Sequence, residues 1–115
     1  MPSPPLAPDD GPIDLAQLQR ATFGDAALER EVLAMFVGQA ARLIGMLSAM
    51  PPDAVALAHT LKGSARAIGA FRVADAASEL ELAVRNGCEP AAHLAELKDT
   101  VAEASCAIEA ILRPS

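Results

Sequence analysis

The sequence predicts an all-α protein: an antiparallel four-helix bundle with a short additional N-terminal helix. Three observations lead there. Hydrophobic residues make up 52% of the chain but aromatic residues only 3%, and the apolar set is mostly Ala, Leu and Val, which suits close-packed helices better than sheets. Apolar residues recur at spacings of three and four along several segments, the period of a helix with one buried face. Gly and Pro break those segments at intervals that leave short turns, as antiparallel neighbours require. At 115 residues the chain makes one domain with a single modest core.

Five of the nine prolines fall in residues 1–12, so those residues are expected to form a disordered Pro-rich tail, with the bundle domain covering residues 13–113. Asp14 can cap a short helix running to about Thr22, where Gly24 ends it and Asp25 caps the next. That second helix carries the stripe Val32, Phe36, Ala40, Leu43 and Leu47 and stops before Met50-Pro51-Pro52. Asp53 can cap a third helix ending near Gly69-Ala70, and Val73, Ala77, Leu80 and Val84 define a fourth that closes at Asn86-Gly87. The fifth begins around Pro90, since proline suits a first helical turn, and carries Leu94, Leu97, Val101, Ala104, Ile108 and Ile111.

The totals exclude several classes of function. A formal net charge of -6 and a pI near 4.7 argue against a protein that binds nucleic-acid backbones, which needs a basic surface. No apolar run reaches the roughly 18 to 20 residues of a membrane span, and M-P-S-P-P-L-A-P-D-D lacks the features of a signal peptide, so a cytoplasmic protein is expected. Cys88 and Cys106 stand apart with no Cys/His clustering, so neither a metal site nor a disulfide scaffold is expected.

The chemistry concentrates in A-H-T-L-K-G-S-A-R-A-I-G-A, residues 58–70. At about 100° per residue, Ala54, Ala58, Leu61, Ala65 and Ile68 share one direction, the buried face; measured from it, Lys62 lies at about 80°, Arg66 at about 120°, His59 at about 140° and Gly63 at about 180°. His59 therefore faces solvent. Glycine in an exposed helix interior costs on the order of 1 kcal/mol relative to alanine. Gly63 either leaves space beside the imidazole one turn away, or is a neutral glycine, or packs tightly against a neighbouring helix. From residue 54 to residue 74 there is no Asp or Glu, whereas Lys62, Arg66 and Arg72 are basic. This stretch is either a solvated basic face or a local site for an anion or an acidic partner.

An imidazole that is mostly neutral at pH 7 can act as a nucleophile through one ring nitrogen. A phosphoryl group accepted there would be stabilised by charge-assisted hydrogen bonds from Lys62 and Arg66. The chain holds no G-x-x-x-x-G-K-[ST], no G-x-G-x-x-G and no carboxylate cluster for Mg²⁺ near His59, so the means of catalysing the transfer must come from its partners.

H-T-L-K-G-S-A-R-A-I-G-A resembles the signature of histidine-containing phosphotransfer (HPt) domains, H-x-L-K-G-[SA]-[SA]-x-x-[LI]-G-A. His59, Leu61, Lys62, Gly63, Ser64, Ala65, Ile68, Gly69 and Ala70 match it. I-D-L-A-Q-L-Q before a Gly-Asp turn, Phe36, and Leu80-Glu81 within S-E-L-E-L resemble the family's flanking pattern, so the likeness extends over residues 13–112. It implies a monomeric four-helix bundle that takes a phosphoryl group on His59 from the aspartate of one receiver domain and passes it to another. Lys62 would support the phosphoryl group and Gly63 would give the receiver's loops room. Many members carry a glutamine on the fourth helix that hydrogen-bonds the histidine ring. Glu81 takes that place here, where a carboxylate could orient the ring and raise its pKa or could repel the phosphoryl group. Arg85, one turn on, can pair with Glu81. Ser64, Ala67 and Ala70 are expected among the residues near the partner, which would dock over the third and fourth helices.

The resemblance implies no cofactor held by this chain, with Mg²⁺ expected from the receiver, and partners that are response-regulator receivers and a hybrid or sensor histidine kinase. The chain ends soon after the bundle, so no ATP-binding kinase domain or receiver is expected on it. The alternative is a binding module that sequesters a receiver or kinase through the basic face around His59 without carrying phosphate. A kinase dimerisation domain fits less well, since Thr60 follows His59 where those place an acidic residue. His93 and Cys106 are expected to be surface residues without a role.

Overall fold

The computed structural model describes residues 11–113. Five helices follow one another, α1 (Leu15–Thr22), α2 (Ala26–Leu47), α3 (Ala54–Ile68), α4 (Phe71–Arg85) and α5 (Ala91–Leu112), with no strand among the described residues. Of the expected tail, residues 1–10 lie outside the described residues; Gly11 and Pro12 form part of a bend and are half-buried.

The helix starts follow their caps in two cases. The Asp14 carboxylate accepts the backbone N–H groups of Ala16 and Gln17 at 3.0 and 3.3 Å, and that of Asp25 accepts the Leu28 N–H at 3.1 Å. Asp53 stands at the N-cap of α3 but makes no side-chain cap bond. Pro90 stands at the N-cap of α5, one position outside the helix rather than in its first turn. The end of α2 has a clear cause: Pro51 disfavours helical backbone at the residue before it, and Met50 adopts a positive φ of 47°.

α2, α3, α4 and α5 form a closed ring in which each packs on two others, the α3–α4 interface being the largest, and α1 lies against α2 and α3. Short connections make chain neighbours antiparallel. Closure of the ring is visible in Arg30, near the start of α2, which donates to the Leu112 carbonyl at the end of α5 at 2.6 Å. That bond supplies a donor to one of the carbonyl acceptors a helix C-terminus leaves unpaired.

The stripe expected on α3 is buried in full: Ala54, Ala58, Leu61, Ala65 and Ile68 all lie in the core. Elsewhere the stripes shift. Leu33 is fully buried and Val32 only half-buried, and near the end of α5 Leu112 packs against the core while Ile111 is exposed. α4 buries a wider face than four residues describe, because alanines at 74, 76, 77 and 83 let it nestle between α3 and α5. Small side chains let helix axes approach closely, which sets up contact between polar groups carried by α3 and α4.

The α3–α4 corner fixes the register of that contact. Gly69 ends α3 in the left-handed region at φ 86°, and the Ala70 N–H reaches back to the Ala65 carbonyl at 2.8 Å, a glycine-type helix stop. The Gly69 carbonyl accepts the Asp14 N–H at 2.8 Å, tying the start of α1 to the same corner. A Cβ on Gly69 would collide with the Asp14 backbone carbonyl oxygen.

Candidate functional site

His59 sits mid-way along α3 on the outward face that the helical angles predict, with its side chain 65% exposed. Across the interface, Glu81 of α4 is buried although it carries a charge. A buried carboxylate is stable only when paired and hydrogen-bonded, and three basic side chains meet this one. Lys62 Nζ lies 3.1 Å from Oε1, the Arg85 guanidinium donates to Oε2 at 2.9 Å, and His59 Nδ1 is 3.3 Å from Oε2 and 3.4 Å from Oε1. Burial by itself would raise the Glu81 pKa. The hydrogen bonds from Lys62 and His59, together with their charges, outweigh it and hold the carboxyl below its ordinary value. The group is therefore an anion at neutral pH.

This arrangement fixes the chemistry of the ring. A carboxylate can only accept, so His59 Nδ1 carries the proton and donates it to Glu81. Nε2 is then the nitrogen with the free lone pair when the ring is neutral, and it makes no hydrogen bond among the described residues. The Glu81 carboxylate lies within hydrogen-bonding distance of the ring nitrogen, where a side chain that orients the ring would stand. Repulsion of an incoming anion is opposed by Lys62 and Arg85, which leave the cluster with more positive than negative charge even when the ring is neutral.

Gly63, one turn along α3, has nothing within 4 Å of the place a Cβ would occupy. Tight packing against a neighbouring helix is thus excluded as its reason, whereas open space beside the imidazole and a neutral glycine both fit. The basic segment, by contrast, is less free than the sequence suggests. Lys62 turns to Glu81 and Arg72 reaches Glu103 of α5 at 3.4 Å, because neighbouring helices supply the acidic residues that α3 lacks. Arg66 is exposed and forms no ion pair among the described residues.

The residues expected near the partner divide. Ala67 is exposed, but Ala70 is fully buried and is corrected to a core position: as the N-cap of α4 it is wrapped by the α3–α4 corner and offers no surface to a partner. Ser64 is half-buried on a different side of α3 from His59, where it lines an open groove of about 540 Å³ between α2 and α3 with Met35, Phe36, Gln39, Arg42 and Ala67. Sequence reasoning missed that groove. Its one signal was Met35, a large apolar residue off the α2 stripe and flanked by Ala34 and Gly38; it is 67% exposed.

His93 is half-buried with Nδ1 3.9 Å from Glu79 Oε1, and Cys88 and Cys106 are free and exposed. Among the described residues no group of three or more His, Cys, Asp or Glu is placed to hold a metal ion, and no helix is long and apolar enough to cross a membrane.

A family model described as Hpt domain matches residues 31–107, which takes in α3, α4, His59 and Glu81. No curated protein matches the chain.

Proposed function

The chain belongs to the Hpt domain family, whose members carry out histidine phosphotransfer in phosphorelay signalling, and we propose that it carries the phosphoryl group on Nε2 of His59 between the aspartates of receiver domains. The observation that carries this reading is the orientation of one ring. Nδ1–H is engaged by a buried carboxylate, and Nε2 belongs to an exposed side chain beside the open space over Gly63.

In the forward step the Nε2 lone pair attacks the phosphorus of a receiver's aspartyl phosphate. The N–P bond forms as the P–O bond to the aspartate breaks, and that carboxylate leaves with the electron pair. Lys62, held beside the ring by Glu81, offers its ammonium to the phosphoryl oxygens, a charge-assisted contact. Exposed Arg66, two turns along α3, adds positive charge to the approach. Mg²⁺ belongs to the receiver in this reading, and the chain acts as a monomeric carrier of residues 13–113 with no kinase activity of its own. The receiver docks over Gly63 and the α3–α4 face, reaching Ala67 at the rim of the α2–α3 groove.

Transfer from a panel of separately phosphorylated receiver domains tests this, with His59→Gln as the control and acid-labile label on the 11.8 kDa chain as the signal. Rapid labelling that the substitution abolishes is the expected result. Binding of receivers without labelling by any of them would overturn the carrier reading in favour of the sequestering module.

A further inference from the structure

The outward face of α2 carries a pattern of its own. Glu31, Met35, Gly38 and Arg42 follow one another at spacings of four, three and four and are all exposed, while Leu33, Phe36, Ala40, Leu43 and Leu47 fill the opposite, buried face. Eleven residues make three helical turns and about 20°, so Glu31 and Arg42 stand at the two ends of one stripe. Between them, Met35 is large, apolar and 67% exposed. Gly38 has nothing within 4 Å of the place a Cβ would occupy, a hollow beside that methionine.

Both charges of the stripe are without an ion pair among the described residues. None of the positions three and four residues away on α2, where a pair within one helix would form, carries an opposite charge for either of them. From the α3 side, the groove beside Arg42 is lined by Ser64, Ala67 and Ile68, none of them acidic.

The stripe is complementary to itself turned end for end. When a second α2 runs antiparallel to the first, with a two-fold axis passing between residues 36 and 37, Glu31 of one copy comes level with Arg42 of the other. The same register brings Met35 level with Gly38, and the two-fold axis makes each contact twice. The hollow at Gly38 receives the opposing methionine as a knob enters a hole and lets the two helix axes approach. A parallel arrangement in register would instead set Glu31 against Glu31 and Arg42 against Arg42, so the charges select the antiparallel one.

We propose that the outward α2 face, Glu31, Met35, Gly38 and Arg42, is a self-association surface that pairs two copies of this chain antiparallel about a two-fold axis. A contact of about three turns on one helix is small beside the roughly 1,200 Å² of a stable interface, so the pair is reversible. The monomer of the carrier reading is then the form a receiver meets. Met35, Gly38 and Arg42 also line the α2–α3 groove that has Ala67 at its rim, so pairing competes with a receiver that reaches Ala67. The inference goes beyond the carrier reading and stands whether or not His59 accepts a phosphoryl group.

Sedimentation equilibrium of the full chain at low ionic strength tests it. Wild type is expected to pass from monomer to dimer as its concentration rises into the millimolar range. Glu31→Arg and Arg42→Glu each turn both charge contacts repulsive and should weaken pairing roughly tenfold. An equimolar mixture of those two variants restores two attractive contacts and should pair like the wild type. Gly38→Leu fills the hollow at an exposed site and should abolish pairing without lowering the thermal midpoint. A wild type that stays monomeric throughout overturns the proposal, as does a dimer indifferent to the charge reversals or a mixture that fails to pair. Receiver binding weakened by Gly38→Leu in a chain that never self-associates would give this face to the receiver instead. Labelling of His59, scored separately, decides the carrier reading on its own.

Discussion

The imidazole of His59 and the carboxylate of Glu81 meet across the α3–α4 interface at 3.3 Å, one largely exposed and the other buried. The asymmetry is what makes the pair useful. The buried partner is paired on both of its oxygens, so it can orient a ring that itself stays largely exposed.

Glu81 should make stability depend on pH. Its carboxyl is held below its ordinary value in the folded chain, so its contribution is fully present above the ordinary glutamate range and is lost as pH falls through the folded value. The stability difference between wild type and Glu81→Gln, from urea unfolding followed by circular dichroism, is expected to shrink as the solution is taken from neutral into that acid range. A difference that stays constant, or grows on acidification, would contradict the pairing described.

Gly63→Ala should stabilise the fold and impair its work. The site is an exposed helix interior with open space around the added methyl group, so the gain is about 0.5 to 1 kcal/mol, seen as a rise in the thermal midpoint. The initial rate of transfer from a receiver should fall, since the methyl group occupies the approach to His59. A faster or unchanged rate would remove Gly63 from the site.

Gly69→Ala should do the opposite to stability. Both its φ of 86° and the Asp14 carbonyl against it oppose a side chain, and the expected loss exceeds the roughly 0.4 to 1 kcal/mol scale of ordinary glycine replacements. Denaturant midpoints of the two glycine variants, measured side by side, should therefore move in opposite directions.

Leu61→Ala should cost about 2 to 5 kcal/mol, as expected for a core leucine whose removal leaves a cavity. Leu61 is fully buried on the face of α3 opposite the site. Where the variant remains folded, His59 should still take label from phosphoramidate, which separates loss of packing from loss of chemistry.

The helices were legible because their signals are local. Asp14 and Asp25 cap through their own following N–H groups, Gly69 needs only its own φ, and a stripe such as Ala54 to Ile68 follows from 3.6 residues per turn. His59 and Gly63 could be placed on the outer face for the same reason. Stripe edges were less reliable, as at Val32 and Ile111, because the buried width of a helix depends on how many neighbours it has and how closely they approach.

What the sequence determined by itself, then, was the all-α fold, the outward histidine and the glycine beside it, each set by period and propensity within one helix. Only the tertiary structure decided which nitrogen of His59 faces the Glu81 carboxylate, that Lys62 and Arg72 already have acidic partners, that Ala70 is core, and that a groove opens between α2 and α3. Those depend on side chains from different helices: Glu81 lies 22 residues from His59, and only the close approach of two alanine-rich helices brings its carboxylate within hydrogen-bonding reach of the ring.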